Sequence, residues 1–192
     1  KPKMEYLRAA LDCLLAQTYT NWKAVLVNQK DDRDVRSMLP VYLKDPRITF
    51  IQDREERTIG QNWNACMQYA DTPFVQYLFY DDLWEKDYLE KILKPFAEHP
   101  SVGFVSGNHT YLLEGESPVV GIYQEVEAFK KANVAPGFHH GKELLYWWAE
   151  KGLRPNIIGE PSFVMMKREL AEKAGPFHPT MRQYLDSEYW TR

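Results

Sequence analysis

Phe74-Val75-Gln76-Tyr77-Leu78-Phe79-Tyr80-Asp81-Asp82-Leu83-Trp84-Glu85 is the stretch on which the reading of this chain turns. An apolar run of strand character ends directly in two adjacent carboxylates, so Asp81 and Asp82 fall at the carboxyl end of a strand. In open α/β sheets that edge is where ligands are held. The pair reads in two ways. It can bind a hard divalent cation, Mg²⁺ or Mn²⁺, with substrate phosphate oxygens completing the shell. Equally, Asp82 can cap a helix starting near Glu85.

Outward from this point, helical and strand periodicities alternate. Residues 4–16 place Leu7, Leu11, Leu14 and Leu15 on one helical face. A short strand at 23–28 is followed by a helix over 31–43 that Pro40 kinks or ends. Further strands are expected at 48–52, 74–79 and 102–106, with helices at 60–69 and 87–97. This alternation predicts βαβ units in a single α/β domain with a mainly parallel sheet. Beyond residue 112 the pattern loosens. Residues 114–137 read as a loop or insert with some helix at 124–132, and 141–151 as a helix containing Trp147 and Trp148. A strand or hairpin at 157–167, a helix at 168–174 ended by Gly175-Pro176, and a helical segment from 181 complete the chain.

Composition excludes several classes. A net charge of −3 over 192 residues gives no basic footprint, so nucleic acid is not an expected partner. Cys13 and Cys66 lie in helical segments without metal-ligand spacing and read as free thiols of a reducing compartment. No apolar run reaches the ~18 residues needed to span a bilayer. The five histidines show no ligand spacing, and no G-x-S-x-G turn, P-loop or GxGxxG is present. The aromatic content of 14%, including six Trp and twelve Tyr, suits a sugar-binding cleft and an ordinary core alike.

Two other groups carry chemistry. Asp186 can serve as a general base toward a hydroxyl, while Glu188 and Arg192 have the i, i+4 spacing of a surface ion pair. Either carboxylate also fits a solvated helix face. Arg57, Gly60, Asn62 and Asn64 open a helix whose free N–H groups can take phosphate and whose amides can take a base or ribose. The same residues can simply start and cap that helix.

Taken in order, these motifs resemble glycosyltransferase family 2, the inverting GT-A transferases. Tyr6 through Trp22 is similar to the family's first helix and turn, and Asp45-Pro46-Arg47-Ile48 to its lead into a strand. Gly60 to Asn64, Asp81 to Glu85 with Asp87 to Lys91, Asn156 to Ser162, Gly175 to Phe177, and Leu185-Asp186 with Tyr189-Trp190 match further blocks. The resemblance implies metal-dependent transfer from a nucleoside-diphosphate sugar to a glycan or lipid-linked acceptor, in cell-envelope polysaccharide synthesis, in the cytoplasm at the inner membrane face. Residues 1–112 become the nucleotide-sugar half and 113–192 the acceptor half.

On that resemblance Asp82 and Asp81 hold Mn²⁺ or Mg²⁺, and Asp186 is the catalytic base. Gln29, Arg57, Asn62, Asn64 and Asp81 lie by the donor, and Glu160, Trp190 and Trp84 line the acceptor side. Two departures stand out. Asn28-Gln29 replaces the family's acidic pair after the second strand, where an amide oxygen can still accept from a base. Tyr80 stands ahead of Asp81-Asp82, where an acidic residue is usual. The family's opening strand would precede Lys1, so a longer protein is expected. A nucleotidyltransferase and a catalytically silent GT-A binding or scaffold domain are the rival readings.

Overall fold

The computed structural model describes residues 3–29, 33–53, 55–112 and 120–192. In chain order the elements are α1 (Met4–Leu15), β1 (Ala24–Asn28), α2 (Arg33–Tyr42), β2 (Ile48–Gln52), α3 (Ile59–Met67), β3 (Phe74–Val75) and α4 (Tyr88–Glu98). They are followed by β4 (Phe104–Ser106), α5 (Val120–Asn133), α6 (Gly141–Glu150), a 3₁₀ turn (Pro161–Phe163), β5 (Val164–Lys167), α7 (Arg168–Ala174) and α8 (Leu185–Trp190).

The α/β alternation expected to residue 112 is present, with β1 and β2 paired in parallel around the α2 crossover and Ala24 opposite Ile48. The second sheet differs from the expected parallel order. Its sequence of strands is β3-β5-β4, and β5 runs antiparallel to both neighbours. β3 and β4 therefore point the same way, as their crossover demands, with β5 inserted between them from the end of the chain. The short apolar run at 157–167 carries no sign of this insertion, because four residues show no decisive period.

The strand expected over 74–79 makes ladder bonds only at Phe74 and Val75. Beyond that point the chain stays extended, and contact passes to side chains: Gln76 Nε2 donates to Ser162 O at 2.9 Å. α5 begins at Val120, ahead of the helix expected at 124–132, and α8 is shorter than the segment expected from 181. Residues 30–32 and 113–119, where parts of a helix and a loop were expected, lie outside the described residues. No described helix is long and apolar enough to cross a membrane.

Successive residues of β5 enter different buried clusters, as alternation across a strand requires. Met166 packs with Phe177 and Tyr189, Met165 with Leu89, Ile92 and Phe96, and Val164 with Trp148 and Ile158. Phe177 and Tyr189 stack at 3.8 Å, which fastens α8 to the sheet. Each such fully buried side chain contributes about 1.5–3 kcal/mol. Cys13 and Cys66 are free thiols, as expected.

Gln17 ties α1 to the segment that follows Asp82. It is only 4% exposed, and its Nε2 donates to Glu85 O at 2.8 Å and Cys13 O at 3.1 Å. Its Oε1 accepts from Leu89 N at 3.0 Å, while Thr18 N donates to Lys86 O at 2.8 Å. Removing a partner from buried polar groups exposes the desolvation cost of each one left behind, about 1–3 kcal/mol. Gln17→Ala is expected to destabilise the domain by about 2 kcal/mol. Thermal unfolding measures this, and an unchanged melting temperature would refute the clamp.

Candidate active site

Asp81 and Asp82 occupy the turn at the end of the extended run from β3, where Asp82 N donates to Phe79 O at 3.2 Å. The helix-capping reading of Asp82 does not survive. α4 begins only at Tyr88, and its N-cap position is Asp87. Asp82 Oδ2 is instead buried with no hydrogen-bond partner among the described residues. Burial raises the Asp82 carboxyl above the usual range, the nearby Ser162 hydroxyl works against that, and Asp81 adds to it. A buried carboxylate oxygen without a partner is a fit ligand for a hard cation. No three His, Cys, Asp or Glu side chains among the described residues form a metal cage by themselves.

Across from this turn, Glu160 sits ahead of the 3₁₀ turn and Asp186 in the first turn of α8. Glu160 keeps an exposed surface. Partial desolvation, then the charges of Asp82, Asp186 and Asp81, push its carboxyl up to about 7. Burial likewise raises Asp186, against hydrogen bonds from the backbone and from Asn156 that favour its charged form. Four carboxylates named from the sequence thus share one electrostatic neighbourhood.

The loop 156–163 assembles them. Asn156 Nδ2 donates to Asp186 Oδ2 at 2.7 Å and to Gly159 O at 3.2 Å, while its Oδ1 accepts from Ile158 N and Gly159 N at 3.1 and 2.9 Å. Gly159 is at φ 111°, and an added Cβ would come within 2.2 Å of the Phe163 ring, so only glycine fits. Trp84 Nε1 donates to Ser162 O at 3.0 Å and Trp190 Nε1 to Gly159 O at 2.8 Å. Expected on the acceptor side, both indoles have their N–H committed to this loop and serve it as struts. Asn156, Ser162 and Gln76 were not singled out in the sequence, although Asn156 and Ser162 bound the block that carries Glu160.

The residues expected by the donor divide in two. Gln29 Nε2 and Asn62 Oδ1 are buried without a hydrogen-bond partner among the described residues, so each retains a polar atom for a ligand. Asn64 does not. Its Nδ2 donates to Phe177 O at 2.8 Å and its Oδ1 accepts from Phe177 N at 2.7 Å, which fastens α3 to the segment before α8. Arg57 stands between the two: one terminal nitrogen is bonded to Asp53 and Glu55 at 2.9 and 2.8 Å, while its buried Nε has no partner among the described residues. It shares a shallow depression of about 220 Å³ with Asn64, Glu55 and Glu56, whose acidic rim is a poor seat for a diphosphate.

The start of α3 is not an open phosphate site either. Thr58 and Gln61 close it with a capping box, and a Cβ on Gly60 would lie 2.4 Å from His178 O. Gly60 is therefore required by chain packing. Beside Glu160 lies a group the sequence did not suggest: His109 stacks on Phe163 at 4.2 Å, its Nε2 is 2.8 Å from the Tyr111 hydroxyl, and it lies 3.2 Å from Glu127 of α5.

A parallel βαβ unit, a sheet closed by a late antiparallel strand, and carboxylates at the strand ends define a GT-A glycosyltransferase fold. The chain belongs to glycosyl transferase family 2, whose model matches residues 3–185. It is 26% identical over 103 residues to the Escherichia coli UDP-Glc:alpha-D-GlcNAc-diphosphoundecaprenol beta-1,3-glucosyltransferase WfgD, covering 54% of this chain and 40% of that protein. The mannosyltransferase PcManGT of Pyrobaculum calidifontis, solved with GDP-Man and Mn²⁺, superposes with a TM-score of 0.64 at 22% identity over 97% of this chain and 47% of its own. Residues 1–349 of TarS from S. aureus, solved in complex with UDP, give a TM-score of 0.64 at 14% identity over 97% of this chain and 50% of that one. These structural likenesses establish the fold, and the chain spans about half the length of the proteins it matches.

The crowding around Glu160 gives an expected pH dependence of stability. Its carboxyl binds a proton more tightly folded than unfolded, so stability is greatest below the ordinary value of 4.5 and falls as pH rises toward about 7. Solvent access along its exposed side screens the effect. Melting curves from pH 4 to 8 are expected to show a steeper loss of stability with rising pH for the native protein than for Glu160→Gln. Parallel curves would contradict the crowding.

Proposed function

We propose that the chain is the catalytic domain of an inverting glycosyltransferase that moves a sugar from a nucleoside diphosphate to a glycan or lipid-linked acceptor hydroxyl. The observation that carries this reading is the grouping of Asp81, Asp82, Glu160 and Asp186 around one hydrogen-bonded loop. Family membership and the donor complexes of the similar structures support it. Residues 1–112 form the donor half and 113–192 the acceptor half.

In this reading Asp186 takes the proton of the acceptor hydroxyl as its oxygen attacks the anomeric carbon. The bond from that carbon to the diphosphate oxygen breaks, and the nucleoside diphosphate leaves with the bonding electrons. Direct displacement inverts the anomeric centre. Burial raises the affinity of Asp186 for a proton, which makes it a stronger base than a solvated aspartate. Asp82 and Asp81 would hold a divalent cation, which supplies countercharge to the departing diphosphate. Gln29 and Asn62 contact the nucleoside, and Glu160 faces the acceptor. The lipid-linked acceptor in the name of the E. coli relative fits a site of action at the cytoplasmic membrane face.

Asp82→Ala is expected to abolish Mn²⁺-dependent binding of UDP- and GDP-sugars in calorimetry. Asp186→Asn should lower kcat about 10³-fold while donor affinity changes less than about twofold. Turnover should rise with pH through a midpoint above the ordinary aspartate range, because the base acts only when deprotonated. Retained turnover in Asp186→Asn, or pyrophosphate as product, would overturn the reaction. Failure to bind any nucleotide would indicate a binding or scaffold domain.

A further inference from the structure

Asp186 has its two carboxylate oxygens held from different sides. Oδ1 accepts from Ser187 N at 2.8 Å, within its own helix, and Oδ2 accepts from Asn156 Nδ2 at 2.7 Å, thirty residues earlier. Asn156 is fully engaged: both amide hydrogens and both acceptor directions are in use. Its remaining partners are all backbone atoms of 158–159, the residues directly ahead of Glu160. Trp190, on the same helix as Asp186, returns a bond to Gly159 O at 2.8 Å. α8 and the loop are therefore joined twice, once through the Asp186 carboxylate and once through an indole. The residue before α8, Tyr184, is held at φ 57°, a left-handed conformation that a bulky side chain seldom adopts.

We infer that Asn156 is a positioning residue: it fixes the orientation of Asp186 and joins that carboxylate rigidly to the loop carrying Glu160. The inference rests on the proposed role of Asp186 as base. An amide suits the position because it offers donors to a carboxylate and acceptors to backbone N–H groups at once. A carboxylate at 156 would satisfy the backbone but repel Asp186. The charged group that faces Asp186 from the loop is Glu160. Glu188 of α8 is paired with Arg192 just beyond the helix, and among the described residues Asn156 is the side-chain donor to Asp186.

Asn156→Asp and Asn156→Ala separate orientation of the base from simple support of the loop. The first keeps acceptors for Ile158 N and Gly159 N, and the second removes them. In the whole protein, the Asp186 carboxyl is titrated by ¹³C NMR, with Asp186→Asn identifying its signal, alongside the pH dependence of kcat. Both variants are expected to move the Asp186 midpoint to higher pH, Asn156→Asp the further, because a donor that favours the charged form is lost. In Asn156→Asp, kcat should fall about tenfold with the donor KM within about twofold and the melting temperature nearly kept. An unmoved midpoint in Asn156→Asp, or full activity in that variant, overturns the inference. A shifted midpoint with an unshifted acid limb of kcat leaves Asn156 holding Asp186 and removes Asp186 from the chemistry.

Discussion

Four neighbouring carboxylates repel one another, and Asp82, Glu160 and Asp186 lose hydration as the chain closes around them. The architecture is an answer to that problem. Asp81 and Asp82 are presented at the end of an extended segment, Glu160 ahead of a tight turn and Asp186 at the start of a short helix. Nothing in these separate elements would keep the groups together. What does so is the backbone of 156–163, which receives bonds from Gln76, Trp84, Ser106 and Trp190 and returns them through Asn156. The remaining desolvation appears as raised proton affinity at Asp82, Glu160 and Asp186.

Support for that loop reaches far into the domain. β5 follows it immediately, and its residues enter three of the buried clusters. Gln17 holds the segment after Asp82 from the opposite side, through α1. The two faces of the cleft are thus anchored in different parts of the core, a common arrangement for ligand sites that must keep their geometry while staying open to solvent.

The sequence revealed whatever depended on local order. Helical and strand periodicity exposed the α/β class, and an apolar run ending in Asp81-Asp82 marked the candidate site, because both are properties of neighbouring residues. The partners of Asn64 are backbone atoms of Phe177, 113 positions away, and an asparagine tied to a distant carbonyl looks the same in sequence as one awaiting a nucleotide. For Gly60 both readings were open in the sequence, and the atom that decides for packing belongs to distant His178. Asn156 passed unnoticed inside a recognised block, and the antiparallel placement of β5 could not be read from four apolar residues. Long-range contacts assigned these roles, and local pattern carries none of that information.

Trp84 and Trp190 approach the same loop from opposite elements, and each rests its indole nitrogen on a backbone carbonyl of that loop. An indole's emission depends on the dipoles around its nitrogen, so the domain carries two built-in optical reporters of the state of its own cleft. An event that shifts the loop alters the field at both rings together, while one that leaves the loop in place leaves their emission unchanged.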